Sequence, residues 1–403
     1  MWAFYRKFFV WEQRKLGDIA KIVGGGTPST KNSQYWNGNI NWYSPTEIGK
    51  NAFVNESKKK ITKAGLQHSS AKLLPKNKTI LFTSRANIGD LAIMTSDGAT
   101  NQGFQSWVID QLKIDIYFLY SLGNILKNQA IKLAYGSTFL EISNKNVKNL
   151  QLKIPNIQEQ KKIGSLFKII DELLTLQERK YEELKLLKKA LMQNMFADNA
   201  FYPNLRFKGF VYKWKQYKLN DLGYTFSGLS GKSKKDFGHG KAQYVTYMNV
   251  FSNPIANLEM TEHIEIDNKQ NSVKYNDIFF TTSSETPEEV GMSSIWLGKE
   301  TNTYLNSFCF GFRLTKRIDS YYIAFMLRSP SFRRKMMVLA QGISRFNISK
   351  NKVMNIKILL PKISEQKRVG ITIKKVDNTV KLQVKFINKI KKFRKFLLQN
   401  MFI

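Results

Sequence analysis

The chain contains one long stretch twice. Pro155 to Phe196 begins PNIQEQKK and closes ALMQNMF; Pro361 to Phe402 begins PKISEQKR and closes FLLQNMF. The copies align without a gap. Pro155 matches Pro361, Glu159-Gln160-Lys161 matches Glu365-Gln366-Lys367, Asp171 matches Asp377, and Gln193-Asn194-Met195-Phe196 matches Gln399-Asn400-Met401-Phe402. A long repeat of this kind fixes the architecture before any residue-level reading. It divides the chain into two cassettes, each a globular block followed by one long helix. The boundaries read as 1–157 and 197–363 for the blocks, and 158–196 and 364–403 for the helices.

The block openings repeat as well. Trp11, Gln13, Lys15, Leu16 and Asp18 recur as Trp214, Gln216, Lys218, Leu219 and Asp221. Near the block ends, Ile142, Ser143 and Val147 recur as Ile348, Ser349 and Val353, while most of the interior differs. Within the helices, Phe167, Ile170, Leu174, Gln177, Tyr181, Leu184, Lys188, Leu191 and Met195 follow at spacings of three and four. That is the pattern of a coiled-coil seam. The second copy gives Ile373, Val376, Val380, Gln383, Ile387, Ile390, Arg394, Leu397 and Met401, with its polar interruptions in the same places. Each helix is then about 57 Å long at 1.5 Å per residue, entered just after a proline that suits a helix start. The nearest partner for each seam is the other copy. The expectation is an antiparallel pair about a pseudo-two-fold axis, with Gln177 and Gln383 approaching each other to fix the register.

Charge narrows the partners. The chain holds 64 basic and 30 acidic residues, a net of +34. Residues 1–157 carry 21 basic and 9 acidic residues, residues 197–363 carry 24 and 13, and the helices 158–196 and 364–403 carry 8 and 6, and 11 and 2. Both blocks are therefore basic, which favours a polyanion whose phosphates they neutralise. A lysine-rich compositional habit is the bland alternative. The second helix, with Lys389, Lys391, Lys392, Arg394 and Lys395, faces an acidic partner, DNA or simply solvent. A single cysteine, Cys309, excludes a disulfide framework and a cysteine zinc site. No apolar run is long enough to span a membrane. The N-terminal MWAFYRKFFVW lacks the apolar core and cleavage site of a signal peptide and reads as part of the fold, so the cytoplasm is the expected compartment.

Catalytic motifs are missing. Gly24-Gly25-Gly26-Thr27-Pro28 lacks the Lys-Ser/Thr ending of a phosphate-binding loop, and His68, His239 and His263 fit no metal-site spacing. Glu285, Glu288 and Glu289 form an acidic group that reads as a solvated loop, a base-contacting Glu285 or a metal site. Short strands over Thr79–Thr83, Leu91–Met94 and Phe104–Ile109, with a helix over Ile116–Leu133, give the first block an α+β pattern. The second block has strands over Gln243–Met248, Asp277–Thr282 and Phe308–Leu314, and a helix over Tyr321–Leu339. Polar loops at the strand ends supply the candidate DNA-binding residues. In the first block these are Thr27, Ser29, Thr30, Lys31, Ser84, Arg85, Asn87, Asn101, Gln102 and Ser137. In the second they are Ser230, Lys232, Lys234, Lys235, Asn249, Thr282, Ser283, Ser284, Glu285 and Arg345. Arg, Asn and Gln pair with purine edges, and Lys and Ser suit phosphates. Arg85 reads equally as a structural ion-pair arginine. Tyr35, Trp36, Trp42 and Tyr43 read as core or loop anchors rather than base-stacking platforms.

These features resemble the specificity subunit of type I restriction–modification systems. The likeness rests on the WxQxKLxD openings, the GGGTPST loop, Phe82-Thr83-Ser84-Arg85 with Ile88-Gly89, Thr100-Asn101-Gln102-Gly103-Phe104, and the twice-repeated Pro…EQ…D…QNMF helix. It implies an α+β fold of two target-recognition domains in a pseudo-two-fold tandem repeat, separated by two long antiparallel coiled-coil helices. It further implies that the chain reads an asymmetric, bipartite double-stranded DNA target and has no catalytic site of its own. Two modification subunits would bring S-adenosylmethionine and methylate adenine, and two restriction subunits would add ATP- and magnesium-dependent cleavage. The open alternatives are a non-specific nucleic-acid scaffold and a nuclease built around Glu285.

Overall fold

The structure is a computed structural model that describes residues 11–85, 87–136, 140–198 and 200–402. The expected place of residues 1–10 in the fold, and the candidate Ser137, lie outside the described residues. The chain forms two compact units: Met1–Glu178 with Lys385–Ile403, and Arg179–Val384. The two long helices, α1 (Ile157–Asn194) and α2 (Ile363–Asn400), are each 38 residues long, and each contributes one part to either unit.

In the first unit a five-stranded sheet runs in the order Ala20–Gly24, Gln105–Ile109, Thr79–Phe82, Leu91–Met94 and Phe53–Val54. Three of its strands, Thr79–Phe82, Leu91–Met94 and Gln105–Ile109, fall within the short strands expected from the sequence. The expected helix Ile116–Leu133 breaks at Leu122 into Ile116–Ser121 and Gly123–Leu133. In the second unit a four-stranded sheet repeats the order with Gly223–Ser227, Cys309–Leu314, Ile278–Thr281 and Ser293–Ile295. The expected helix Tyr321–Leu339 is likewise two, Ser320–Met326 and Pro330–Val338. Here the cause is local: Ser329 caps the second piece through Phe332 N, and Pro330 occupies its first position. The expected strand Gln243–Met248 stops at Val245, because Thr246 caps a short helix, Tyr247–Ser252.

A second, three-stranded sheet also repeats. Trp36–Tyr43 pairs antiparallel with Lys59–Ile61 and parallel with Gly98–Thr100. Phe237–Val245 does the same with Thr261–Ile264 and Thr303–Leu305, and both central strands carry a register shift near their start. The interiors thus share a topology that their sequences conceal.

The repeated motifs are those that close each block. Glu12–Lys15 pairs antiparallel with Gln151–Ile154, and Lys215–Lys218 with Lys357–Leu360, so each block's opening lies beside the strand that leads into a long helix. The glutamine of the EQ motif then fixes the helix to the block. Gln160 Nε2 donates to Pro155 O at 2.8 Å while its Oε1 accepts from Asp115 N at 3.0 Å. Gln366 makes the same two bonds to Pro361 O and Asp319 N, both at 2.9 Å. Asp115 and Asp319 in turn cap the helices that begin at Ile116 and Ser320. One turn further on, Gly164 and Gly370 allow this close approach. A Cβ at Gly164 would lie 2.2 Å from Asp115 Oδ1, and one at Gly370 2.5 Å from Tyr322 N.

Each unit contains a short stretch of both helices. In the first unit Phe167, Asp171 and Glu178 of α1 meet Phe402, Arg394 and Lys391 of α2, an antiparallel pairing. Phe402 stacks on Phe167 with ring centroids 5.6 Å apart and meets Trp11 and Phe118 edge-on or tilted. In the second unit Phe196 takes the corresponding place against Tyr322, which also meets Trp214. The Met-Phe pairs that close the QNMF endings therefore pack on the cores, Met195 and Phe196 buried and Met401 and Phe402 half-buried, while Gln193, Gln399 and Asn400 are exposed. The seam residues Ile170, Gln383, Ile387 and Ile390 are buried, and Leu174, Gln177, Tyr181, Leu184, Val376 and Val380 are half-buried.

The polar interruptions of the seam have a reason. Lys188 Nζ bonds Asp377 Oδ1 at 2.5 Å, and Arg394 Nη2 bonds Asp171 Oδ2 at 3.1 Å, so each copy's basic residue meets the other copy's repeated aspartate. Burial alone would raise the Asp377 pKa, but the bonds to Lys188 and Lys381 outweigh it and hold the carboxyl below its ordinary value. Tyr117 donates to Asp171 at 2.8 Å, and burial together with that carboxylate pushes its hydroxyl pKa up, so it remains a donor. Among the described residues no helix is long and apolar enough to cross a membrane.

Candidate nucleic-acid interface

The polar loops of the first block come together at one sheet end. The glycine-rich loop is pinned from beneath: Trp42 Nε1 donates to Gly26 O at 2.9 Å and Trp36 Nε1 to Ser29 O at 3.1 Å. Trp42 and Tyr43 are buried, and Trp36 packs edge-on against Trp42 at 5.1 Å, which gives these aromatics the anchoring role expected of them. The loop is bonded to the next one through Gly26 N to Thr100 O, and Thr27 Oγ1 donates to Gln102 Oε1. Thr27, Ser29, Thr30, Lys31 and Gln102 are left exposed on one joined surface. Asn101 is half-buried and accepts from Gly103 N at 2.8 Å, which makes it a turn-former.

Several polar candidates prove to be internal. Ser84 is fully buried; its N–H bonds Gly103 O and its carbonyl accepts from Ile142 N. Asn249 is also fully buried and ties Asn257 O and Met260 O to the helix Tyr247–Ser252. Ser283 and Ser284 are buried, and Ser284 Oγ donates to Thr286 O. Ser84 and Asn249 cannot present their side chains to DNA in this structure, and the reading of them as direct contacts is corrected; Ser283 and Ser284, each 6% exposed, line a surface cleft. Polar residues beside strand ends serve turns as often as surfaces, and their composition does not separate the two. Thr282 is half-buried and donates to Phe308 O at 2.9 Å. Lys232 is engaged by Asp267 at 2.8 Å, and this bond, with help from Lys269 N and Gln270, holds the Asp267 pKa at about 2. Ser230, Lys234 and Lys235 are exposed, as are Asn87, Glu285 and Arg345.

Arg85 is exposed and paired: its Nε lies 2.8 Å from Glu141 Oε1. The two residues face each other across an isolated antiparallel bridge. The second block has the same bridge between Ser283 and Asn347. The equivalence is fixed by the backbone, since Ile142 N bonds Ser84 O just as Ile348 N bonds Thr282 O. Both return segments are turned by a glycine in the left-handed region, Gly136 at φ 125° and Gly342 at φ 140°. In the second block the charges sit further along the two strands, at Glu285 and Arg345. These line a cleft of about 490 Å³ with Tyr247, Phe251 and Glu289. Glu141 and this cleft were not singled out from sequence. The signal for Glu141 was its place in the matched return segment, two residues before Ser143.

Two half-buried arginines hold the cleft in shape. Arg328 donates to Val250 O, Phe251 O and Ser293 O, and Arg333 to Glu288 O, Val290 O and Gly291 O. Burial pulls their pKa values down, to about 9 and about 10. Tyr247 Oη donates to Ser283 O at 2.8 Å and its ring stacks on Phe251. Among the described residues no group of three or more His, Cys, Asp or Glu side chains is arranged to hold a metal ion.

Both blocks, each with most of its following helix, match the family of the type I restriction modification DNA specificity domain, over residues 10–186 and 212–392. The chain belongs to this family. Its specificity domains are similar to the MjaIX specificity subunit of Methanocaldococcus jannaschii, 29% identical over 56% of this chain and 54% of that one, so the match spans about half of that relative. The MjaVIII specificity subunit of the same organism is 22% identical over 96% of this chain and 90% of its own length. The crystal structure of a type I restriction–modification S subunit from M. genitalium shares the fold, with a TM-score of 0.63 at 15% identity over 99% of this chain and 98% of that one. The specificity-domain fold is therefore present twice, on mixed helix and sheet.

Proposed function

We propose that this chain is the DNA-reading subunit of a type I restriction–modification system. The observation that carries this reading is one backbone frame used twice with different side chains at the same strand ends. Arg85 and Glu141 stand where the second block has Ser283 and Asn347. A shared frame with divergent strand ends suits an asymmetric target of two different half-sites, and the two basic blocks suit phosphate backbone on both. The long helices act as a ruler between the half-sites, so a four-residue insertion in one helix changes the gap and leaves the half-sites themselves unchanged. Two modification subunits, carrying S-adenosylmethionine, methylate adenine within the target. Two restriction subunits add ATP- and magnesium-dependent cleavage, and this chain contributes recognition rather than catalysis. The cytoplasm, where host DNA is reached, is the compartment that fits.

Genome-wide methylation mapping in a host carrying the system tests the reading. The expected result is one bipartite adenine-methylated motif. Exchange of residues 17–135 for another subunit's block changes one half only. A motif altered in both halves, or specific and non-specific duplexes bound equally at fixed salt, overturns it in favour of a non-specific scaffold.

A further inference from the structure

The cleft of the second block holds a free acceptor beside a free donor. Among the described residues Glu285 and Arg345 form no hydrogen bond or ion pair, with each other or with other side chains, although both line the same cleft. Their neighbour Glu289 is engaged, accepting from Thr286 Oγ1 at 3.2 Å. In the first block the comparable charges, Arg85 and Glu141, close on each other at 2.8 Å.

A free carboxylate on a polyanion-binding surface is repelled by phosphate, so it is useful there only if it accepts from a base. The major-groove donors are the cytosine N4 and adenine N6 amino groups, and carboxylates pair with the former. A free guanidinium fork matches guanine O6 and N7. Cytosine N4 and guanine O6 and N7 lie together on the major-groove edge of a single base pair. The cleft walls are held by Arg328, Arg333 and Tyr247, so its two charged groups are presented without reorganisation of the backbone.

We propose that this cleft reads one C·G base pair of the half-site recognised by the second block. Glu285 accepts from cytosine N4, and Arg345 donates to guanine O6 and N7. The inference rests on the DNA-reading function proposed above.

The test maps methylation in a host carrying the full system with the wild-type chain, Glu285→Gln or Arg345→Ala. Exchange of residues 17–135 first identifies which half-site belongs to the second block. The wild-type half-site is expected to contain a C·G pair that both variants relax, each losing about ten- to a hundredfold of discrimination there. The first half-site stays unchanged in both, which shows that the chain still folds and assembles. On a duplex carrying the mapped motif, 7-deazaguanine at that position weakens the wild type and leaves Arg345→Ala unaffected. The inference is overturned if the variants relax no position, relax positions that are not shared, or relax an A·T pair, while the bipartite motif persists. Absence of any bipartite motif with the wild-type chain removes the DNA-reading function itself, a distinguishable result.

Discussion

The two blocks share a backbone bridge and place different side chains on it. Across the same strand bridge the first block sets Arg85 against Glu141 and the second sets Ser283 against Asn347, moving its charges outward to Glu285 and Arg345. The sequence of charge along the two strands is also reversed. Arginine comes first and glutamate on the return in one block; glutamate comes first and arginine on the return in the other. Hydrogen bonds that hold the frame, such as Ile142 N to Ser84 O and Ile348 N to Thr282 O, use backbone atoms and are indifferent to side chain. Side chains at the strand ends are then free to diverge without cost to the fold. The parts that do not diverge, Gln160 and Gln366 or Gly164 and Gly370, use the side chain itself to fasten a helix.

The equivalence of the two frames is tested hardest in the cores. Phe167→Ala in the first unit is expected to cost about 3–5 kcal/mol and Ile373→Ala in the second about 2–5 kcal/mol, because both side chains are fully buried. Hydrogen exchange should lose protection mainly in the unit that carries the substitution. Equal loss in both units would mean that they are not independent. Next in size is Gly370→Val. Its branched side chain would meet Tyr322 N and Asp319 Oδ1, and about 1–3 kcal/mol is expected from overpacking. Gly164→Val should match it if the two helix dockings are equivalent, as urea titration of each variant would show.

The interhelical pairs should show a difference. Asp377→Asn leaves Lys188 with a weaker partner, at about 1–2 kcal/mol. The Asp377 pKa is held below the ordinary aspartate value of 3.8, so its contribution is present above that pH and is lost as pH falls through the lower folded-state value. The wild type should therefore lose Tm more steeply than Asp377→Asn below about pH 4. Parallel curves would show that the pair contributes nothing. The smallest effect on stability belongs to Arg85→Ala, since a half-exposed ion pair contributes about 0.2–1 kcal/mol. Its consequence should appear in specificity, as a relaxed position in the first half-site with little change in Tm.

Much of this was legible in the sequence for an identifiable reason. A seam residue repeats every three or four positions, so Phe167 through Met195 and Ile373 through Met401 announce a helix and its buried face together. Polar interruptions at Lys188 and Arg394 were visible too, but not their partners, because Asp377 and Asp171 lie on the other copy. Strand pairing in the block interiors was hidden, since the order of Ala20–Gly24, Gln105–Ile109 and Thr79–Phe82 depends on contacts distant in sequence. The site was the least legible part. Ser84 and Asn249 carry the same chemistry as Ser29 and Asn87, and only the fold decides which are turned inward.

The docking of Phe402 on Phe167 and Trp11 has a consequence for synthesis. The first unit takes in Lys385–Ile403, so its core stays open while residues 179–384 are being made. The second unit, drawn from Arg179–Val384 alone, is complete sooner. At a ribosomal rate of about 5–20 residues per second, the first block waits on the order of ten seconds or more for its last packing partners. A chain that stops short of α2's end would then carry one finished unit and one unfinished one. Completion of the first unit thus reports that translation has run through α2.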